Sequence, residues 1–303
     1  MSLIQVGLVD TTGSLDSELV QSVAAALNIQ VTRDLPQFWS VTATVLYLSN
    51  PKKVPAGVWP VQLVKTLPPG EGGFHLDKHK QPYSKVIASH KNDGWTIAAS
   101  HEVLEMLVDP YGNRMQSSVA IEVKGKKIID GTGQFGYLVE ACDPCEDDKY
   151  GYTINGVVVS DFITPHYYDP LETPGTRYSF TGAIKAPRQI LPGGYISWVD
   201  HAADEWQQLQ YLSSTPKIIN LGKASADKSL REWIDGEMQT TNAIAEKPKN
   251  KALHNMGRNG GSLSMSWRLL KRASTHNHDY WAMATGNVPV CMQTGTFPVA
   301  IAQ

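Results

Sequence analysis

Cysteine is scarce in this chain: Cys142, Cys145 and Cys291 are the only three among 303 residues. So few, and an odd number, exclude the disulfide framework of a small secreted domain. A chain of this length buries enough apolar surface to fold without such a staple. No apolar run approaches the ~20 residues needed to cross a bilayer, so no membrane partner is expected. Met1-Ser2-Leu3-Ile4-Gln5 lacks the basic start and apolar block of an export signal, and the expected location is cytoplasmic or particle-associated. The formal net charge of −2 provides no global field for nucleic acid, and Arg258, Arg268, Lys271 and Arg272 form only a diffuse basic patch. No GxxxxGK(S/T) or GxGxxG phosphate loop is expected, nor a GxSxG nucleophile elbow, which disfavours hydride transfer, nucleotide hydrolysis and serine-hydrolase chemistry. No internal repeat is present.

What is present reads as a mixed α+β domain. Leu3 to Asp10 suits a strand, and Ser14 or Asp16 can cap the helix that follows, where Leu19, Val20, Val23, Ala24 and Leu27 recur at helical spacing. Val41 to Leu48 and Val58 to Val64 are strand-like. Phe74 to Asp77 and Pro82 to Ile87 read as an extended edge region. Asn92-Asp93-Gly94 then starts a helix over Trp95–Val108, which Pro110 helps to stop. Val119 to Val123 and Lys127 to Ile129 form a hairpin about Lys124-Gly125-Lys126, with further strands at Tyr137–Ala141 and Gly156–Ser160. Residues 162–200 show little periodicity. Beyond about 215 the chain turns polar, with one helix around Leu230 to Met238. The expected division is a domain over 1–215 and a C-terminal extension or small subdomain over 216–303.

The chemistry concentrates on the second helix. His101, Glu105 and Asp109 fall at successive i+4 positions and therefore on one stripe, so an imidazole and a carboxylate one turn apart can grip a single divalent ion. Glu102 lies about 100 degrees further round the axis, where it can act as a general base. The other face, with Ile97, Leu104, Met106, Leu107 and Val108, suits burial. A second signal comes from Glu140-Ala141-Cys142-Asp143-Pro144-Cys145-Glu146-Asp147-Asp148, five acids in nine residues at the end of a strand. Carboxylates so crowded repel one another unless solvent or a cation intervenes. Glu140, Asp143 and Glu146 can face the helix; Asp147 and Asp148, beside Lys149, read as an exposed turn. Asp161 is a further acid for the surroundings of the site. With acids around them, and with no second CxxC, Cys142 and Cys145 read as structural thiols.

His101-Glu102-Val103-Leu104-Glu105-Met106-Leu107-Val108-Asp109-Pro110, together with the Glu140–Glu146 segment and Val159-Ser160-Asp161-Phe162, resembles a group of uncharacterised bacterial and phage proteins. These carry an HExxExxxDP motif and are similar to zincin-type, gluzincin-like zinc metallopeptidases. The resemblance covers about residues 1–200. It implies a zincin-like domain with a twisted mixed sheet, a backing helix and a metal-binding helix. It further implies His101 and Glu105 as zinc ligands, Glu102 as base and Glu140 as third ligand, with Asp143 the alternative and Asp109 a further acid. A peptide or protein would be the substrate, its backbone added along the edge strand that holds His75-Leu76-Asp77. One departure stands out: the second histidine of HExxH is Glu105, and the added carboxylate also suits Mn or Ca.

His75, His79 and His90 default to surface or core positions, as do His166 and the distant His276 and His278. The expected function is a zinc-dependent hydrolase of peptidase type. The alternative is a catalytically silent zincin-like protein with a structural Zn or Ca, such as a phage-particle or injection-machine component, docking on an assembly partner through its C-terminal extension.

Overall fold

The computed structural model describes residues 3–68, 71–91 and 94–244. Cys291, His276, His278, the basic positions from Arg258 to Arg272 and the Asn92-Asp93 helix start lie outside the described residues.

The first half of the chain builds a five-stranded sheet with two helices. Strand β1 (Ile4–Asp10) is an apolar run whose Val6, Leu8 and Val9 are wholly buried, as in a parallel sheet covered on its faces. Helix α1 (Ser17–Ile29) starts at Asp16, whose carboxylate accepts the Glu18 N–H at 2.9 Å. Its apolar stripe packs on β2 (Ala43–Leu48). Strands β3 (Val58–Val64), β4 (Gly73–Lys78) and β5 (Gln81–Ile87) complete the sheet in the order β2-β1-β3-β5-β4. All neighbours are parallel except β4, which runs antiparallel to β5 as the terminal strand. Helix α2 (Trp95–Val108) lies against β4 and β5. Removing the α1 cap gives a modest check on this architecture: Asp16→Ala should lower the unfolding free energy by ~1 kcal/mol in a urea titration.

The second sheet is antiparallel. It begins with the hairpin β6 (Met115–Lys124) and β7 (Lys127–Leu138). The short hairpin β8 (Tyr152–Ile154) and β9 (Val157–Val159) follows separately. A meander, β10 (Tyr195–Asp200), β11 (Glu205–Gln210) and β12 (Lys217–Gly222), then extends the second sheet to the order β12-β11-β10-β7-β6. Helix α3 (Leu230–Ile244) packs on β12, and Trp233, Ile234 and Met238 join Leu138, Val199, Trp206 and Leu221 in a small second core. The fold is therefore α+β. No helix among the described residues is long and apolar enough to cross a membrane.

Differences from the sequence expectation cluster after residue 125. The arm expected over 127–129 is a twelve-residue strand, because ladder bonds to β6 carry it through the glycines that interrupt its apolar pattern. Gly131, Gly133 and Gly136 match a GxGxxG spacing, yet they lie inside β7 and not at a strand-to-helix turn, so they make no dinucleotide cradle. Tyr137–Ala141 is strand only as far as Leu138; beyond it, Val139 donates to the Arg114 carbonyl and Ile163 donates to that of Ala141. Strands β10 to β12 were not visible as strands. Residue 215 falls in the loop between β11 and β12, which pair directly, so the chain beyond 215 contributes both a strand of this sheet and α3.

Candidate metal centre

All fourteen residues of α2 are buried, so the helix has no solvated face. Its apolar residues meet the core on every side, and its polar residues are taken up by specific partners. Thr96 donates to the Val158 carbonyl at 2.9 Å. Ser100 donates to Gln30 Oε1 at 2.7 Å and accepts the Ser160 N–H at 2.9 Å, while Gln30 donates to the Ser160 carbonyl at 2.9 Å. This network ties α2 to the end of α1 and to β9, and it fixes the helix rotation that turns His101 and Glu105 inward.

Glu105 is the hub of the interior cluster. Its Oε1 accepts the Cys142 N–H at 3.0 Å, which anchors the Glu140–Cys145 segment to the helix. Its Oε2 is buried and has no hydrogen-bond partner. That oxygen lies 3.2 Å from His101 Nε2, 3.6 Å from His75 Nδ1 and 3.9 Å from Arg231 Nη1. Asp143, at the start of a 3-10 turn (Asp143–Cys145), places Oδ1 3.1 Å from His101 Nε2 and accepts from Arg231 Nη1 on Oδ2 at 3.0 Å. Glu140 Oε2 is 2.5 Å from the same Arg231 nitrogen. Arg231 is fixed in turn by Asp235, with Nε–Oδ2 3.1 Å, and donates to the Tyr195 hydroxyl at 3.3 Å.

Glu102 lies under the edge strand. A Cβ at Gly73 would sit 2.8 Å from Glu102 Oε1, so only glycine leaves room for the carboxylate there. Glu102 Oε2 faces His75 Nδ1 at 3.5 Å and is itself unbonded.

Thus the structure brings together His101, Glu102, Glu105, Glu140 and Asp143, each expected at the site. Glu105 is common to three sets of donors lying within 4.8 Å of one another: His101–Glu105–Cys142, His75–Glu102–Glu105 and Glu105–Glu140–Asp143. Asp109 is not part of them. Its Oδ2 accepts the Arg114 N–H at 2.7 Å, so it closes the turn after α2. Asp161 is also occupied elsewhere, accepting from Phe162 and Thr181 to shape the following loop. His166 pairs with Asp169 on the surface, His79 sits in the β4–β5 turn, and His90 is exposed. Cys142 and Cys145 are buried and unpaired; burial pushes both thiols well above their usual range, as suits structural residues.

Sequence reasoning missed Arg231 altogether and left His75 among the ordinary histidines. Arg231 carried no signal beyond an i+4 match to Asp235. For His75 one existed: in a strand, Phe74 and Leu76 face one side and His75 the other, and it is His75 that is wholly buried. Its partner across the ladder, Ser84, is wholly buried too, so the inward face of β4–β5 is polar at this level.

The electrostatics are costly. Glu102, Glu105, Glu140 and Asp143 are all buried, with Arg231 facing Glu140 and Asp143 and the imidazoles of His75 and His101 facing Glu102, Glu105 and Asp143. An unpaired buried charge costs several kcal/mol. The titrating groups respond accordingly. Burial alone would lower the His101 pKa, but Glu105 and Asp143 outweigh it and hold the imidazole well above its ordinary value. Burial alone would raise Glu105, but His101, Arg231 and His75 pull it well below. Burial pushes Glu140 well up despite Arg231 and raises Asp143 as well, and it pushes neighbouring Glu146 to about 8.

Three of the separations in this cluster match those between neighbouring ligands of one divalent ion. Ligand atoms of a four-coordinate zinc ion lie about 3.3–3.5 Å apart, given metal–ligand bonds of about 2.0–2.2 Å. The His101–Asp143, His101–Glu105 and His75–Glu105 separations of 3.1, 3.2 and 3.6 Å bracket that range. Comparison of the chain with protein-family models, with curated proteins and with solved structures finds no match in any of the three.

Proposed function

We propose that this chain is a zinc-dependent hydrolase of zincin-like, peptidase type, with its ion held by His101, Glu105 and the acidic turn at Asp143. The observation that carries this reading is Glu105 Oε2, a buried carboxylate oxygen without a hydrogen bond, facing imidazole nitrogen at 3.2 Å. Without an ion, His101 and Arg231 meet that charge; a divalent ion bound there would take over from the imidazole proton, which metal binding releases. The imidazole favours zinc, with Mn next; Ca prefers a shell of six to eight oxygens. Glu140, engaged by Arg231, serves as a charge neighbour more than as a ligand.

When bound, the ion would supply Lewis-acid polarisation of a carbonyl. The protein's own residues supply the rest. Glu102, one residue from the ligand and pressed against Gly73, is placed to take a proton on Oε2 and return it to a leaving amine. Arg231 keeps Asp143 and Glu140 in place. Strand β4 is the terminal strand of its sheet and passes directly over Glu102, which supports an extended peptide added along it as the substrate.

One observation favours the second reading, a silent metal-bearing protein acting in an assembly. His75 and Glu105 are 0% exposed, and His101 and Glu102 only 4%. A site so enclosed suits a structural ion. Metal analysis with an activity screen separates the two readings. Protein prepared without added metal should carry near one equivalent of zinc and cleave members of a mixed fluorogenic peptide library, and chelation should abolish cleavage. Zinc without cleavage, or calcium in its place, would support the silent reading; absence of any bound divalent ion would overturn both.

A further inference from the structure

Helix α3 bridges two parts of the proposed centre. Arg231, Asp235 and Gln239 fall at successive i+4 positions and share one stripe of it. The start of the helix is pinned beside the end of α2: the Arg231 N–H donates to the Gly112 carbonyl at 3.0 Å, and the Leu230 N–H to Asn113 Oδ1 at 2.9 Å. A Cβ at Gly112 would lie 2.7 Å from that of Arg231, so the glycine is what lets the helix come this close. About two turns further on, Gln239 donates to Glu71 Oε1, just before β4. The helix thus runs from the end of α2 to the start of the edge strand, and Arg231 reaches from its polar stripe into the acidic cluster.

A single guanidinium nitrogen, Nη1, lies 2.5 Å from Glu140 Oε2, 3.0 Å from Asp143 Oδ2 and 3.9 Å from Glu105 Oε2. Those three acids form one of the compact donor sets of the interior. Arg231 therefore holds the position of a cation among them, and two of them, Glu105 and Asp143, are ligands assigned above to the ion. A guanidinium and a divalent ion on the same carboxylates repel each other, and inside a protein that repulsion is poorly screened. The opposite side of α3 is lightly attached. Trp233, Ile234 and Met238 sit in the small second core, separate from the main core that holds α1 and α2. An element held by so few buried apolar residues opens at a lower free-energy cost than the body it rests on.

We propose that α3 is a self-inhibitory strap: Arg231 stands in for the ion at Glu105, Glu140 and Asp143, so that docking of α3 and binding of the ion oppose each other. This rests on the metal reading of the previous section and concerns the regulation of that same site. With the strap down, the three acids find their countercharge within the chain. With it lifted, they are open to the ion, and Gln239 leaves the approach to β4.

The test uses the full chain and zinc alone. Zinc affinity is measured against a chromophoric chelator in native protein and in Arg231→Met. Removing the internal competitor should tighten binding by about 5- to 150-fold, the usual range for coupling between two sites. If Arg231 only positions the acids for the ion, the variant binds zinc more weakly. That result, or equal affinity, overturns the strap and leaves the metal centre standing. Native protein gives the reciprocal reading, because such coupling acts equally in both directions. Backbone amides of α3 should exchange with deuterium faster once zinc is added, by a similar factor. Slower or unchanged exchange there overturns the proposal, and this measurement decides alone should Arg231→Met lose its native circular dichroism. Where native protein takes up calcium in place of zinc, both measurements are made with calcium. If it binds neither, the metal reading itself fails and the strap with it.

Discussion

Replacing Arg231 by methionine should destabilise the metal-free protein by about 3–5 kcal/mol, the cost of leaving a buried ionic partner uncompensated. Arg231 Nη1 is shared by Glu140 at 2.5 Å and Asp143 at 3.0 Å, and both acids are buried. Methionine keeps much of the apolar stem that packs over Gly112 while removing the charge. Urea unfolding in excess chelator would read the effect as a lowered midpoint at unchanged slope. Coupling identifies the cause. If the loss comes from stranded carboxylates, then Glu140→Gln added to Arg231→Met should restore part of it, with an interaction energy of about 0.5–3 kcal/mol. An unchanged midpoint in Arg231→Met, or strict additivity in the double variant, would show that the guanidinium is not the counter-ion of this cluster.

The second large effect concerns chemistry. Glu102→Gln should lower turnover of a cleaved peptide by roughly 10²–10⁴-fold, the usual contribution of a positioned general base. The amide is nearly isosteric, so the space beside Gly73 stays filled, and zinc content and thermal midpoint should match those of the native protein. The contrast with His101→Gln is what gives the experiment its meaning, since that change should remove metal and turnover together. Undiminished turnover in Glu102→Gln would remove this residue as the base. Gly73→Ala provides a geometric control: the added methyl would meet Glu102 Oε1 at 2.8 Å and displace the carboxylate while leaving its charge intact. Turnover should fall in that variant too.

Much of the site's helix was legible in the sequence, because what decides a helix is local. Trp95–Val108 shows apolar residues on all sides, and the i+4 arithmetic that aligns His101 with Glu105 holds wherever the helix is placed. The same arithmetic misled at Asp109. It shares the stripe, but the helix ends there, and its carboxylate turns to the Arg114 amide. The acidic run from Glu140 was also a sound pointer, since crowded carboxylates need a physical reason. Its individual members were not separable by spacing. Which of them faces His101 depends on how the chain leaves β7, and the 3-10 turn after Cys142 directs Asp143 to His101 and leaves Glu140 to Arg231.

By itself, then, the sequence determined a mixed α+β chain whose second helix carries His101, Glu102 and Glu105 beside a face suited to burial, and an acidic segment to meet it. These follow from periodicity and charge density over a few turns of chain; that the helix is buried on every side came from the structure. Only the tertiary structure decided that His75 comes in from the edge strand and that Arg231 comes in from a helix far along the chain. Neither could be read locally, because a lone histidine in a strand and a lone arginine on a polar helix acquire meaning only through the groups they face. Sheet pairing chooses those partners for His75, and the packing of α3 on β12 chooses them for Arg231.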